Sequence, residues 1–481
     1  MAKDGEKKEV KSIPPKAADL SEWYTQVCLR AQLVDYAPVR GCIVLRPYGH
    51  AIWELIRDEF DKRFKSTGHQ NAYFPLLIPE SLLVREAEHV EGFAPEVAWV
   101  TEGGGEKLTE RLAIRPTSEA IIGVMYARWV QSHRDLPILI NQWANVMRWE
   151  KSTRPFLRTL EFLWQEGHTA HSTQAEAAEE VQRMLEVYRE VAEDVLCLPV
   201  IKGRKSEHEK FAGASATYAI EALMPDGKAL QAGTSHELGQ HFAKAYDIKF
   251  TDIDEQMKFA WTTSWGVSWR ILCGLIMAHG DDRGLVLPPA VAPYHVVIVP
   301  IVRKGDETVM PAARELVRSL SGMARVHLDD RPEQTAPWKF NEWEMRGVPL
   351  RAEIGPRDVA AGQVTIARRD TLEKIAVPVS ELATRIPELL ADVQRTIYAR
   401  ALAYRDEHTT MAQTREELID ALKSQQGFVL ATWCARTECE LAIKAETSAV
   451  SRVIAGIAPE GATCAFCGQP AEVTAYFARS Y

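Results

Sequence analysis

The chain has 481 residues, 46% of them apolar and 26% charged, with a formal net charge of −9 and a pI near 5.9. These values fit a globular protein of about three domains; they disfavour nonspecific nucleic-acid binding by the whole surface, though not by a local basic patch, and no apolar run nears the roughly 20 residues that span a bilayer. Eight cysteines are too sparse for a secreted disulfide framework, and the N-terminus lacks the apolar stretch of a secretory signal.

Residues 1–19, rich in Lys and Glu with Pro14-Pro15, read as a disordered lead-in. Ala51 to Phe64 carries Ile52, Leu55, Ile56, Phe60 and Phe64 at helical spacing. Gly68 breaks that pattern, and Ala72–Pro79 follows as a strand-like run whose Pro75 predicts an edge strand. Strands are expected around 111–115, 138–150, 158–170, 217–223 and 228–235. A helix opens near Thr173, with Glu176 completing a capping box, and its stripe is Val181, Met184, Leu185, Tyr188, Val191 and Val195. This ordering implies an α+β unit with a mostly antiparallel sheet. Pro288–Pro293 is a stiff linker. Beyond it, strand His295–Val302, helix Ala312–Leu320, strand Arg325–Leu328, helix Trp338–Arg346, strands Leu350–Ile354 and Gln363–Arg369, and a helix over about Leu382–Tyr404 imply a small α/β sheet. Residues 405–481 open with a helix holding Leu418, Leu422 and Val429 and end in paired cysteines. Cys28, Cys42, Cys197 and Cys273 sit among apolar neighbours and are expected to be buried thiols.

Residues 145–168 carry the most information. Asn145-Val146-Met147-Arg148-Trp149-Glu150 leads into a polar loop, then Pro155-Phe156-Leu157-Arg158, then Phe162-Leu163-Trp164-Gln165-Glu166-Gly167-His168. Arg148 and Glu150, two apart on an extended segment, point to one side. A guanidinium there can clamp a carboxylate or phosphate through two N–H groups. The stretch could wall a small zwitterion beside a polyphosphate; the plainer alternative is an exposed hairpin with ordinary ion pairs.

Three landmarks stand in order. Gly68 through Pro75, Arg148-Trp149-Glu150, and Ser264-Trp265-Gly266-Val267-Ser268-Trp269-Arg270, continuing through His279–Asp282 and Gly284–Pro289, resemble motifs 1, 2 and 3 of class II aminoacyl-tRNA synthetases. Arg115-Pro116-Thr117-Ser118-Glu119 and Gly233-Thr234-Ser235-His236-Glu237-Leu238-Gly239-Gln240 narrow the resemblance to the prolyl-tRNA synthetases, in the archaeal/eukaryotic-like form with a zinc-containing C-terminal extension. The resemblance runs over nearly the whole chain from about residue 20. It implies a class II antiparallel-sheet catalytic domain over 20–287, an α/β anticodon-binding domain over 288–404 and a small zinc-bearing α/β extension over 405–481. It also implies activation of L-proline with ATP, transfer to tRNA(Pro), a cytoplasmic location, no membrane and a homodimer formed through motif 1.

Activation is attack by a carboxylate oxygen on the ATP α-phosphorus. The nucleophile is already ionised, so catalysis is positioning and charge stabilisation. By resemblance, Arg148 bridges the substrate carboxylate and the α-phosphate, and Arg158 and Arg270 hold the outer phosphates. Glu150 holds the adenine or Arg148, Gln231 lies near Mg²⁺, and Thr234 and Ser268 complete the ATP set. Thr117, Glu119 and Glu166 face the proline amine; Trp164, His168 and His236 line the ring. His171 and His279 receive no role. The sequence departs from the family at Ser268, where Thr is common, and at Trp269, where a small residue is common, which bears on the fit around adenine or proline. Between Arg148 and Arg270 there is no room for a large editing insertion. A pocket for proline discriminates against smaller side chains by only about 1–3 kcal/mol, so alanine or cysteine is expected to be activated.

Over 288–404, Trp338-Lys339-Phe340-Asn341-Glu342-Trp343-Glu344, Glu353–Asp358 and Arg368-Arg369-Asp370 offer groups that read splayed RNA bases; for Trp338 and Phe340 a packed helix face is an equal alternative. Relatives usually carry Gly where this chain has Pro337. Cys434, Cys439, Cys464 and Cys467 form two close pairs suited to a tetrahedral structural zinc, the alternatives being free thiols or one disulfide. The rival functions are a paralogue that binds without charging and a zinc-stapled RNA-binding protein.

Overall fold

The computed structural model describes residues 13–89, 96–424 and 427–481, so residues 1–12 of the expected lead-in lie outside the described residues. Two compact units emerge. The larger gathers Tyr36–Val44, His50–Ala278 and Gln394–Tyr481. Its spine is an eleven-stranded sheet ordered Thr409–Ala412, Phe428–Trp433, Val473–Ala478, Val450–Ile457, Val200–Arg204, Ala216–Leu223, Ala229–Gly239, Trp261–Ser268, Glu161–His171, Ile138–Met147, Gln70–Asn71. Neighbours run antiparallel except the outermost pair at each end, which are parallel.

The helix Gln174–Glu190 packs on this sheet and begins as the sequence dictates. Thr173 accepts from Glu176 N, and the Glu176 carboxylate returns to the Thr173 backbone. Val181, Met184, Leu185 and Tyr188 are buried, and a π turn over Val191–Val195 keeps Val191 and Val195 buried as well. The helix Pro47–Ser66 buries Ile52, Ile56, Phe60 and Phe64. Phe64 meets Trp265 at 4.9 Å and Phe60 meets Tyr188 edge-on at 5.8 Å. Gly167 faces Trp265 across the ladder, where a Cβ would lie 2.1 Å from the indole. This aromatic layer backs the strands that carry the site.

Some elements differ from expectation. Ala72–Pro79 is not one strand: Gln70–Asn71 closes the large sheet, Leu77–Pro79 joins a separate three-stranded sheet, and between them Phe74 bonds to the Gln142 and Arg115 side chains instead of to a strand. A helix forms over Glu119–Trp129. Trp261–Ser268 is a central strand that hydrophobic patterning did not reveal, because Thr262, Thr263 and Ser264 are buried hydroxyls. Val429 lies in the strand Phe428–Trp433, not in the helix Arg415–Lys423 that buries Leu418 and Leu422. Cys28, Cys197 and Cys273 are buried, whereas Cys42 is only half-buried.

The smaller unit gathers the described residues up to Asp35, with Leu45–Gly49 and His279–Val393. Its five-stranded sheet is ordered Val326–Leu328, Val296–Pro300, Leu350–Ile354, Gln363–Arg368, Lys374–Pro378. The first three are parallel and the last two antiparallel. The strand Lys374–Pro378 and the short helix Pro356–Ala361 were not anticipated; Pro356 starts that helix in its first turn, where a missing N–H leaves nothing unpaired. Pro337 likewise falls in the first turn of Ala336–Met345, behind the N-cap Thr335.

Candidate active site

Strand register builds one cavity of about 290 Å³. His236, Ser264 and His168 lie level on three adjacent strands, as do Thr234, Gly266 and Glu166, and Ser268 is level with Trp164. Trp164, Glu166 and His168 alternate, so they share a face. Thr117 and Glu119 enter from the start of the helix Glu119–Trp129. Arg148, Gln231 and Arg270 complete the lining among the expected residues.

One end of the cavity is anionic and rigid. Glu166 accepts from Ser118 N at 3.1 Å, Ser118 Oγ at 2.5 Å and Gln142 Nε2 at 2.8 Å, and His168 Nε2 lies 3.2 Å away. Burial alone would raise the Glu166 pKa, yet these donors and the His168 charge hold it below the usual carboxylate range. Burial alone would lower that of His168, but its bond to Glu166 and the carboxylates of Glu119 and Glu166 raise it. The hydroxyl of Thr117 donates to Glu119. Glu119, Glu166 and His168 bring their polar atoms within 4.8 Å of one another. Beside them His236 is tilted against Phe211 at 4.8 Å and touches Thr217 Oγ1 at 3.0 Å; burial, with the His168 charge, drops its pKa to about 3, so it stays neutral.

The other end is cationic. Arg148 lies just past the strand Ile138–Met147, and Trp149 turns outward, 54% exposed. Arg148 Nε donates to Pro116 O at 3.1 Å, and its guanidinium stands 5.4 Å from the ring centroids of both Phe162 and Trp164. Solvent reaches Arg148 from the cavity although protein crowds its other sides, and that crowding lowers its pKa. Arg270 Nε donates to Leu157 O at 3.1 Å, and its backbone N donates to Ser268 Oγ at 3.2 Å. Neither arginine has a carboxylate partner among the described residues. Trp164 Nε1 and Ser264 Oγ are buried without a hydrogen-bond partner among them. Oriented cations and orphaned donors in one cleft call for an anionic, hydrogen-bonding ligand.

Two expected residues stand outside this cavity. Arg158 lines a second cavity of about 480 Å³, with Arg154, Lys228, Arg452 and Tyr481, which shares Glu209, Gln231 and Arg270 with the first. Glu150 pairs with Arg158 at 3.6 Å. Trp269 does not line the cavity; it is buried edge-on against Phe156 at 5.6 Å. Phe162, Glu209, Phe211 and Thr217 line it without having been singled out. Phe162 was visible in the Trp164–His168 run. Glu209 and Phe211 belong to a loop closed by Phe211 N donating to Thr217 Oγ1 at 2.9 Å, which leaves no periodic signal.

The four cysteines converge. Cys434 Sγ lies 3.6 Å from Cys467 Sγ and Cys439 Sγ 3.8 Å from Cys464 Sγ, and all four sulfurs are within 4.8 Å of one another. In the smaller unit Trp338 is 44% exposed, while Phe340 lies under Arg351 and Lys374 at 4.3 and 5.5 Å. Arg368 and Arg369 are ion-paired with Asp370, Asp392 and Asp281, and with Arg283, Arg351 and Lys374 they line a cavity of about 150 Å³.

Family models match three successive parts of the chain: the tRNA synthetase class II core domain (G, H, P, S and T) over residues 99–279, an anticodon binding domain over 295–389, and the prolyl-tRNA synthetase C-terminal domain over 415–481. The proline–tRNA ligase of Natranaerobius thermophilus is 54% identical over 100% of both chains. That of Alkaliphilus oremlandii is 56% identical over 99% of each. Among solved structures, prolyl-tRNA synthetase from Cryptosporidium parvum complexed with halofuginone and AMPPNP aligns with a TM-score of 0.94 and 43% identity, covering 98% of this chain and 99% of that one.

Proposed function

The chain belongs to the prolyl-tRNA synthetase family, class II ligases that join proline to tRNA(Pro) using ATP, and from that premise we propose how its side chains divide the work. The carrying observation is one cavity with a carboxylate-rich end and two arginines free of carboxylate partners at the other. Proline enters with its charged secondary amine toward Thr117 and Glu119. Glu166 is already engaged by four groups and contributes its charge more than free lone pairs. Trp164, His168 and His236 flank the ring; neutral His236 puts no positive charge near the amine.

The proline carboxylate then points at Arg148. Held by Pro116 and two aromatic rings, its guanidinium is oriented before substrate arrives, so little reorganisation accompanies charge development. A carboxylate oxygen attacks the α-phosphorus, pyrophosphate leaves, and prolyl-adenylate remains. Arg148 neutralises the entering oxygen and the α-phosphate; Arg270 and, across the neighbouring cavity, Arg158 take the outer phosphates. Glu150 keeps Arg158 near, and Gln231, Thr234 and Ser268 border the nucleotide. The 3′-terminal hydroxyl of tRNA(Pro) next attacks the carbonyl carbon and releases AMP. Mg²⁺ bound to the phosphates would neutralise charge on them, with Gln231 and Glu209 beside it.

The cysteine geometry supports a structural zinc. A tetrahedron with Zn–S bonds of ~2.3 Å has S···S edges of about 3.8 Å, and the two measured pairs are 3.6 and 3.8 Å. All four positions would be protein thiolates, leaving none for chemistry. The domains are assigned as 20–287 catalytic, 288–404 anticodon-binding and 405–481 zinc-bearing. A cytoplasmic homodimer follows from the family resemblance, and Tyr73 of motif 1, 71% exposed, is an apolar candidate for its interface. Among the described residues no helix is long and apolar enough to cross a membrane. ATP–pyrophosphate exchange across the twenty amino acids tests the reading: exchange is expected with proline above all others, and exchange that ignores proline overturns it.

A further inference from the structure

The C-terminal extension meets the catalytic strands at a buried ion cluster. Arg452, on the strand Val450–Ile457, places Nη2 at 2.8 and 2.9 Å from the two carboxylate oxygens of Glu221, and Nε at 3.3 Å from Oε2. Lys205 Nζ donates to the same carboxylate at 2.9 Å. Glu221, Lys205 and Arg452 are 0%, 2% and 4% exposed. A well-packed apolar trio would do as well or better for stability, since desolvating three charges offsets much of their attraction. Stability alone therefore does not account for the cluster.

Its position on the sheet does. Glu221 sits where the pairing of Ala216–Leu223 with Ala229–Gly239 slips: Ile220 faces Gly233 and Glu221 faces Gln231, so Ala232 is the extra residue of a bulge. Bulges re-aim the side chains beside them. Gln231, Ala232 and Gly233 all line the activation cavity, and Gln231 also lines the adjoining basic one. The backbone pairing between extension and catalytic strands is slight: Ile454 pairs with Arg204, and Ala229 bridges Ser480, donating to Arg479 O at 2.8 Å and accepting from Tyr481 N at 3.3 Å. Of these links, the Arg452–Glu221 fork is the one that ends at the residue facing Gln231.

We propose that Arg452 and Glu221 are positioning residues, through which the C-terminal extension fixes the bulge at Gln231 and so sets the nucleotide half of the site. This rests on the assignment of Gln231 to ATP made above.

The test is initial-rate ATP–pyrophosphate exchange by the full-length protein, varying ATP and proline separately. Arg452→Gln should raise the KM for ATP about tenfold and leave that for proline within about twofold, with Arg452→Lys in between because it keeps the charge but not the fork. An unchanged KM for ATP, or both KM values rising together, overturns the proposal. If Arg452→Gln does not fold, Arg452→Lys decides: a KM for ATP about threefold above wild type with proline unaffected supports it, and a wild-type value overturns it. Gln231→Ala separates the two levels. A raised KM for ATP there, with Arg452 variants unaffected, keeps the site assignment and sinks the coupling; no effect of Gln231→Ala sinks both.

Discussion

Arg148→Ala is the sharpest perturbation of the proposed chemistry. Two losses add. Removing one preoriented donor to developing transition-state charge costs about 2.7–4 kcal/mol, or 10²–10³ in kcat. Losing the charge-assisted bonds to the proline carboxylate costs roughly 1.5–3 kcal/mol of binding, which appears in KM. Together the two reach about 4–7 kcal/mol, a fall of 10³–10⁵ in kcat/KM. Arg148 is held by Pro116 and flanked by Phe162 and Trp164, so its guanidinium is placed before the substrate arrives. The fold should survive, because no described carboxylate is hydrogen-bonded to Arg148 and buried Glu166 keeps its bonds to Ser118, Gln142 and His168. The assay is proline-dependent ATP–pyrophosphate exchange with circular dichroism and thermal melting of the same preparations. Arg148→Lys should recover only part of the loss, since an ammonium offers no planar fork. A folded Arg148→Ala protein with kcat/KM within about tenfold of wild type refutes the assigned role.

Three further outcomes are expected. The raised pKa of His168 and the lowered pKa of Glu166 fix the sign of a pH effect. The His168 contribution to stability is complete below its unfolded pKa of about 6.5 and is lost as pH rises through the raised folded value, whereas that of Glu166 is complete above about 4.5 and is lost as pH falls through its lowered one. The melting temperature of wild type minus that of His168→Asn should therefore shrink on the alkaline side; a constant difference contradicts the paired state. Cys464→Ser should reduce bound zinc from about one per chain to near zero and open residues 405–481 to proteolysis; full zinc content or unchanged cleavage excludes the structural site. Alanine should support measurable exchange, weaker than proline, and purified protein should leave Ala-tRNA(Pro) intact; rapid hydrolysis of that ester would reveal an editing centre.

The legible parts of this protein are those where chemistry demands particular residue types at short range. The Thr173 cap with Glu176, the two cysteine pairs, and Arg148 beside the Trp164–His168 run each announce themselves within a few positions. The activation cavity gathers most of the expected set because strand alternation carries side chains from sequence onto one face. Where the arrangement depends on long-range pairing and burial instead of spacing, the sequence is silent. Arg368 and Arg369 read from sequence as a basic pair, but nothing there announces that Asp370, Asp392 and Asp281 pair with them. Trp261–Ser268 carries hydroxyls where a core strand usually carries aliphatics, because its neighbours line a polar cleft.

The least legible feature joins residues 231 positions apart, Arg452 and Glu221. Neither stands in a motif, and each alone reads as a surface charge. Only the bulge at Ala232, beside Gln231, gives their contact meaning, and that bulge is a property of pairing register, not of composition. A site built on sheet strands inherits this: residues that touch substrate leave local signatures, while residues that hold the strands in register do not. The second group is therefore best sought at ladder irregularities beside the cavity.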